Sequence, residues 1–213
     1  MPEKYSGVKF QVALDKQSPQ FSSYESRLAD ELCYWGRVFA RHGMSPEYEH
    51  KGSIGSAGNL SFRSIGGFVI KPSGVTLSSL SRHSLVRVFF CDFSQGRVIA
   101  QGLRSPSSEA CLHSAIYAAR PHVNAIFHGH DDAVLKAAKK MNVPATEKEA
   151  AYGTAGLAHN ALRLLSRHPW SNYFVLKNHG FVSLGATMQE AGQAALDLHE
   201  KAVRLAKQKN GKK

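Results

Sequence analysis

The sequence is poor in cysteine, in long apolar runs and, over its last stretch, in acid, and each shortage removes a class of protein. Three cysteines in 213 residues (Cys33, Cys91 and Cys111) are too few and too scattered for a disulfide scaffold, and none forms a zinc-binding CxxC pair. A reducing cytoplasm is therefore the default compartment. No run approaches the roughly 18 apolar residues of a membrane span, and the opening MPEKYSGVKFQ lacks the apolar segment of a secretion signal. Residues 201–213 hold no Asp or Glu but six Lys and Arg. They carry over half of the formal charge of +11; eleven less six leaves +5 on the rest, a modest excess. Such a tail reads as a solvated helix end rather than a nucleic-acid arm. A mildly positive body still steers anionic substrates, phosphate esters among them.

What is present fits a packed domain. With 43% apolar and 20% charged residues, the composition excludes wholesale disorder. Residues 1–20 read as an N-terminal extension in which Phe10, Val12 and Leu14 alternate as in a short edge strand. Residues 21–213 read as a single domain with the basic tail at its end. Helical spacing of Leu28, Leu32, Trp35 and Val38/Phe39 predicts a helix over 24–41, stopped by Gly43. A Gly/Ser-rich loop, GSIGSAGNLSFR (52–63), follows. Strands are predicted at 67–71, 85–92, 97–101, 123–128, 173–177 and 181–184. Helices are predicted at 109–119, capped by Ser107 or Ser108, at 131–142, at 147–167, and from the capping-box pattern Thr187–Glu190 to beyond Leu205. The order predicts an α/β domain with a mainly antiparallel or mixed sheet flanked by helices. It does not alternate strictly enough for a doubly wound parallel sheet.

Eleven histidines are present, and most sit beside polar residues or at element ends where surface imidazoles are ordinary. His128 and His130 differ, because they follow the apolar run Val123–Phe127 and are two apart in extended chain, so they share one side. His179 also follows an apolar run, Tyr173–Leu176, and precedes a glycine. Three neutral imidazoles leave a divalent ion with an open coordination position, which is the catalytic type of site. A chance grouping in a histidine-rich chain is the competing reading.

Five segments together resemble the class II aldolase/adducin family: GSAGNLSFR (55–63), IKPSGV (70–75), SPSSEACLH (105–113), AIFHGH (125–130) and VLKNHG (175–180). Each alone is weak, but they occur in the family's order and at similar intervals. The resemblance implies that His128, His130 and His179 ligate a metal, usually Zn2+ with Mn2+ or Co2+ as alternatives, and that Glu109 is the catalytic acid/base. It implies that Gly58, Asn59, Ser73, Gly74, Ser107 and Ser108 hold a substrate phosphate. It also implies a three-layer α/β/α fold and a homotetramer with its site at a subunit interface. The chemistry of those positions agrees. Gly/Ser turns offer backbone N–H groups and hydroxyls to a phosphate. Breaking a carbon–carbon bond beside a carbonyl creates an enediolate, which needs a cation at its oxygens and a group to move protons. Ordinary turns and a helix-capping glutamate are the bland alternatives for the same residues.

The expected activity is reversible cleavage of a ketose 1-phosphate, fuculose-1-phosphate-like, to dihydroxyacetone phosphate and an aldehyde. Within the family, a dehydratase of the methylthioribulose-1-phosphate type, an epimerase and a keto-acid phosphate decarboxylase are alternatives. Glu109 stands where the epimerases typically carry Asp. An adducin-like binding module using the basic tail is the alternative outside catalysis, and such members lose the histidines. The aldolases add a tyrosine that protonates the leaving aldehyde; the corresponding stretch, 145–154, offers Lys148 or Tyr152. No counterpart of the family's terminal tyrosine is visible in the lysine-rich end.

Overall fold

The computed structural model describes residues 7–50, 52–92 and 94–210. Among these, eight strands form one sheet in the order β1-β7-β6-β5-β4-β8-β10-β9, comprising β1 (Gln11–Asp15), β4 (Asn59–Ser64), β5 (Gly67–Ile70), β6 (Val86–Asp92), β7 (Arg97–Gln101), β8 (Ala125–Gly129), β9 (Tyr173–Leu176) and β10 (Gly180–Gly185). Every pairing is antiparallel except β1 with β7, so the sheet is mixed, as the strand pattern implied. A separate hairpin pairs β2 (Glu47–His50) with β3 (Ser53–Ser56).

Alternation along each strand divides the core in two. Leu60, Phe62, Phe127 and Phe181 face a layer made by α1 (Ser23–Arg41), α3 (Asp132–Ala137) and α5 (Met188–Asn210). Ile70, Val88, Ile126 and Val182 face α2 (Ala110–Ala119) and α4 (Ala155–Arg167). The result is the expected three-layer α/β/α arrangement, with both faces of the sheet covered. No helix among the described residues is long and apolar enough to cross a membrane.

Several local expectations are corrected. Glu109 is the N-cap of α2 rather than part of its first turn, and it makes no side-chain cap of its own, while Ser107 Oγ accepts the Glu109 N–H at 3.4 Å just ahead of the helix. The helix expected over 131–142 stops at Ala137 after Asp131 caps it through its carboxylate. The helix expected over 147–167 begins only at Ala155. Gly153 is left-handed (φ +67°) and lies so near Ser108 that a Cβ would stand 2.8 Å from its carbonyl oxygen, which no helix could accommodate. Cys91 on β6 and Cys111 in α2 form a single disulfide, a pair that the exclusion of a disulfide scaffold did not foresee. Lys212 and Lys213 of the basic tail lie outside the described residues.

One charged group locks the first helix to the sheet. Glu25, in the first turn of α1, completes a capping box with Ser22 and receives Arg87 Nη1 from β6 at 2.8 Å. Arg87 also donates to the Ser64 hydroxyl at 2.6 Å and to the Gln20 carbonyl at 3.0 Å. The Arg87 bond is the main reason the Glu25 carboxyl is lowered from 4.5 to about 2, against the opposing pull of burial. Because the folded value is depressed, the stabilisation is complete above 4.5 and is lost as pH falls through about 2. Glu25→Gln is expected to cost on the order of 3 kcal/mol at pH 7 by stranding Arg87. Urea melts at pH 7 and pH 3 check this, since the gap between wild type and variant narrows as the pH falls.

Candidate functional site

The strand period decides where the histidines go. His128 shares the α2 face of β8 with Ile126, and directly opposite it on β4 stands Asn59. That pairing requires Gly58, whose φ is +79° and whose Cβ would stand 2.6 Å from the His128 carbonyl oxygen. His130 leaves the end of β8, held by its N–H to the Met44 carbonyl. His179 comes from the β9–β10 turn, where Asn178 adopts φ +57° and the His179 N–H bonds the Leu176 carbonyl. Glu109 enters from the opposite side at the head of α2.

These four side chains meet. Their ligand atoms all lie within 4.8 Å of one another. His128 Nε2 is 3.1 Å from His130 Nε2 and 3.1 Å from Glu109 Oε2, and His179 Nε2 is 2.7 Å from Glu109 Oε1. His128 Nδ1 lies 2.7 Å from the Phe181 carbonyl oxygen, an atom that only accepts, so Nδ1 carries a proton and Nε2 is the atom turned to the cluster. Burial first, and then the charges of His128 and His179, hold His130 well below its usual range and hence neutral. Burial pulls the Glu109 carboxyl up, but the charges and hydrogen bonds of His128 and His179 outweigh it and keep the group ionised. Nitrogen and oxygen lone pairs at such spacing repel unless a proton or cation lies among them. Ligands on one tetrahedral zinc at about 2.0–2.1 Å stand roughly 3.3 Å apart, close to the spacing seen. The donor set therefore fits a divalent metal.

The cluster forms one end of a cleft of about 550 Å³. Gly58, Asn59, Ser73, Ser107, Ser108, Glu109, His130, Tyr152 and His179 all line it. Gly74 makes the turn beside Ser73 and is not on the wall, and Lys148 is exposed away from it. Asn59 Nδ2 donates to Glu109 Oε2 at 2.8 Å, fixing the carboxylate from the β4 side. The hydroxyls of Ser108 and Tyr152 both donate to the Gly7 carbonyl at 3.2 Å, so the N-terminal segment reaches the cleft. Lys9 Nζ stands 3.8 Å from the Tyr152 ring centroid.

Two contributions escaped the sequence reading. Glu47, Tyr48 and Glu49 of the β2–β3 hairpin form a wall, although nothing in their spacing signals it. Lys71 also lines the cleft, fully buried, with Nζ donating to the Ser56 carbonyl at 2.8 Å. Its segment IKPSGV was noticed for the serine and glycine only. Burial lowers its ammonium from 10.5 to about 7, with the Glu109 charge opposing.

With this geometry established, comparison with known proteins becomes specific. The profile of the Class II Aldolase and Adducin N-terminal domain matches residues 30–206, and the chain belongs to that family. It is 30% identical over 182 residues to the 5-methylthioribulose-1-phosphate/5-deoxyribulose-1-phosphate aldolase of Rhodospirillum rubrum, covering 78% of this chain and 80% of that protein. Human beta-adducin is 33% identical over 139 residues, 58% of this chain but only 19% of beta-adducin. Among solved structures, an L-fuculose 1-phosphate aldolase superposes with a TM-score of 0.68 at 24% identity, over 88% of this chain and 89% of that one. A sugar-phosphate aldolase from Thermotoga maritima gives 0.70 at 18% identity, over 87% and 96%, a likeness of fold.

Two measurements bear on this site. Calorimetric titration of metal-free protein with zinc is expected to give one site per chain, weakened by about 100-fold or more in His130→Ala and His179→Ala; unchanged binding in both would exclude the centre. For Lys71, the depressed value means that the cost of burying its charge is full below about 7 and fades as pH rises toward 10.5. Lys71→Met should therefore raise the melting temperature more at pH 6 than at pH 9.5.

Proposed function

We propose that the protein is a metal-dependent aldolase that reversibly splits a ketose 1-phosphate into dihydroxyacetone phosphate and an aldehyde. The observation that carries this reading is the convergence of His128, His130, His179 and Glu109 at the end of a cleft lined by the Gly58-Asn59, Ser73 and Ser107-Ser108 segments. Zn2+ is the ion of choice, with Mn2+ or Co2+ also compatible with nitrogen and carboxylate donors. When bound, it supplies a Lewis acid that polarises the substrate carbonyl and offsets the charge developing on the enediolate.

The chain's own residues divide the remaining work. Glu109 moves the proton at the enediolate carbon, and Asn59 keeps the carboxylate in place. Gly58, Asn59, Ser73, Ser107 and Ser108 receive the phosphate through N–H groups and hydroxyls, Gly74 making the turn that presents Ser73, with the Lys71 ammonium as its counter-charge. Tyr152 serves as the acid at the aldehyde oxygen once its hydroxyl is released from Gly7. The proposal includes residues 21–213 as the catalytic domain, with 1–20 added to it, and a homotetramer whose interfaces complete the cleft. It also includes a cytoplasmic setting, in whose reducing conditions Cys91 and Cys111 would stand as thiols.

The likeness to beta-adducin favours a second reading, a binding module without catalysis. Four converging ligand side chains speak against it, because buried charge is costly to keep without a use. Incubating the metal-loaded protein with fuculose 1-phosphate, 5-methylthioribulose 1-phosphate and 5-deoxyribulose 1-phosphate tests the proposal. Release of dihydroxyacetone phosphate is expected, and Glu109→Gln should lower kcat by about 10²–10⁴. A dehydrated ketone as product would transfer the site to a dehydratase, and no turnover of any phosphosugar would leave the module.

A further inference from the structure

Beneath the cluster of three histidines and Glu109, β4 and α2 run side by side in the same direction and are joined by polar contacts at regular intervals. Asn59 meets Glu109 at 2.8 Å. Two residues along β4, the Ser61 hydroxyl lies 2.7 Å from His113 Nδ1 and 2.8 Å from the Tyr117 hydroxyl. Two further, Arg63 donates to the Tyr117 carbonyl at 3.0 Å and stacks its guanidinium 4.7 Å from that ring centroid. Two residues of strand advance about 6.6 Å, and four residues of helix about 6 Å. Strand positions 59, 61 and 63 therefore stay in step with helix positions 109, 113 and 117.

This file is buried. Ser61 and His113 are 0% exposed and Tyr117 5%, beside an apolar cluster that includes Ile116, Ile126 and Phe68. Apolar side chains of the same shape would hold two elements together at least as well, and without the need to satisfy polar atoms. A connected polar set instead fixes one registry, because a shift along either element breaks every bond in it. The rung that opens the file is the one that holds Glu109. Two atoms near that end, His113 Nε2 and Asn59 Oδ1, are buried without a hydrogen-bond partner among the described residues, as expected where alignment outweighs stability.

We propose that His113 and Ser61 are positioning residues: their contact sets the height of α2 on β4, and so the placement of Glu109 among His128, His130 and His179. This rests on the metal-centre reading given above. The test is zinc affinity by chelator competition on folded metal-free protein, comparing wild type with Ser61→Ala, His113→Leu and His113→Asn. Asparagine places its amide near the position of Nδ1 and so preserves the bond to Ser61. Ser61→Ala and His113→Leu are expected to bind zinc about 10- to 100-fold more weakly, with His113→Asn within about threefold of wild type. Unchanged affinity in both Ser61→Ala and His113→Leu overturns the inference, as does equal weakening by His113→Asn and His113→Leu. If the leucine variant does not fold, Ser61→Ala, which removes one oxygen, decides alone. Wild-type protein that binds no zinc overturns the metal centre and this inference together, whereas tight wild-type binding with indifferent variants overturns this one only.

Discussion

The structure is organised around a repulsion. The Nε2 atoms of His128 and His130, 3.1 Å apart, would push apart in isolation unless a proton or cation lay between them. The four side chains of the cluster stay together because each is fastened from behind: His128 by the Phe181 carbonyl, His130 by its backbone bond to Met44, His179 by its turn, and Glu109 by Asn59 and the head of α2. The free energy stored in that crowding comes from the rest of the fold, and a cation recovers it. Such preorganisation gives an electrostatic site its strength, since nothing need rearrange as charge develops.

The sheet makes this possible through its central strands. β4, β8 and β10 are adjacent and antiparallel, so the end of one lies beside the start of the next, and three chain segments far apart in sequence deliver side chains to a single edge of the sheet. Both faces are covered by helices, so the histidine and carboxylate atoms enter a region of low dielectric where their interactions are strong. Lys71, buried on the same cleft, shares that environment and offers the opposite charge to an incoming anion.

Much of this was legible in the sequence because it depends on short periods. The two-residue repeat of strands placed His128 and His130 on one side, and the same period with Gly58 explains why Asn59 stands opposite. Glu109 was visible only through its motif, since a glutamate after two serines otherwise reads as a helix cap, which in position it is. The α4 boundary was misjudged because 147–152 carries good helix formers, while the left-handed Gly153, pressed on Ser108, answers to a contact 45 residues away. Lys71 was overlooked for a similar reason: a lysine ending an apolar strand reads as solvated unless the hairpin that covers it is known. The correspondence of β4 and α2 spans about fifty residues, and no local pattern announces it.

The parallel pairing of β1 with β7 puts the start of the chain to work at a distance from its own strand. The Gly7 carbonyl accepts from two hydroxyls of the cleft, those of Ser108 and Tyr152. A chain trimmed to begin at residue 21, where the domain was expected to start, would bare the β7 edge to association with other strands. It would also take the Gly7 carbonyl away from the Ser108 and Tyr152 hydroxyls at once. Affinity handles for handling this protein therefore belong at the other end.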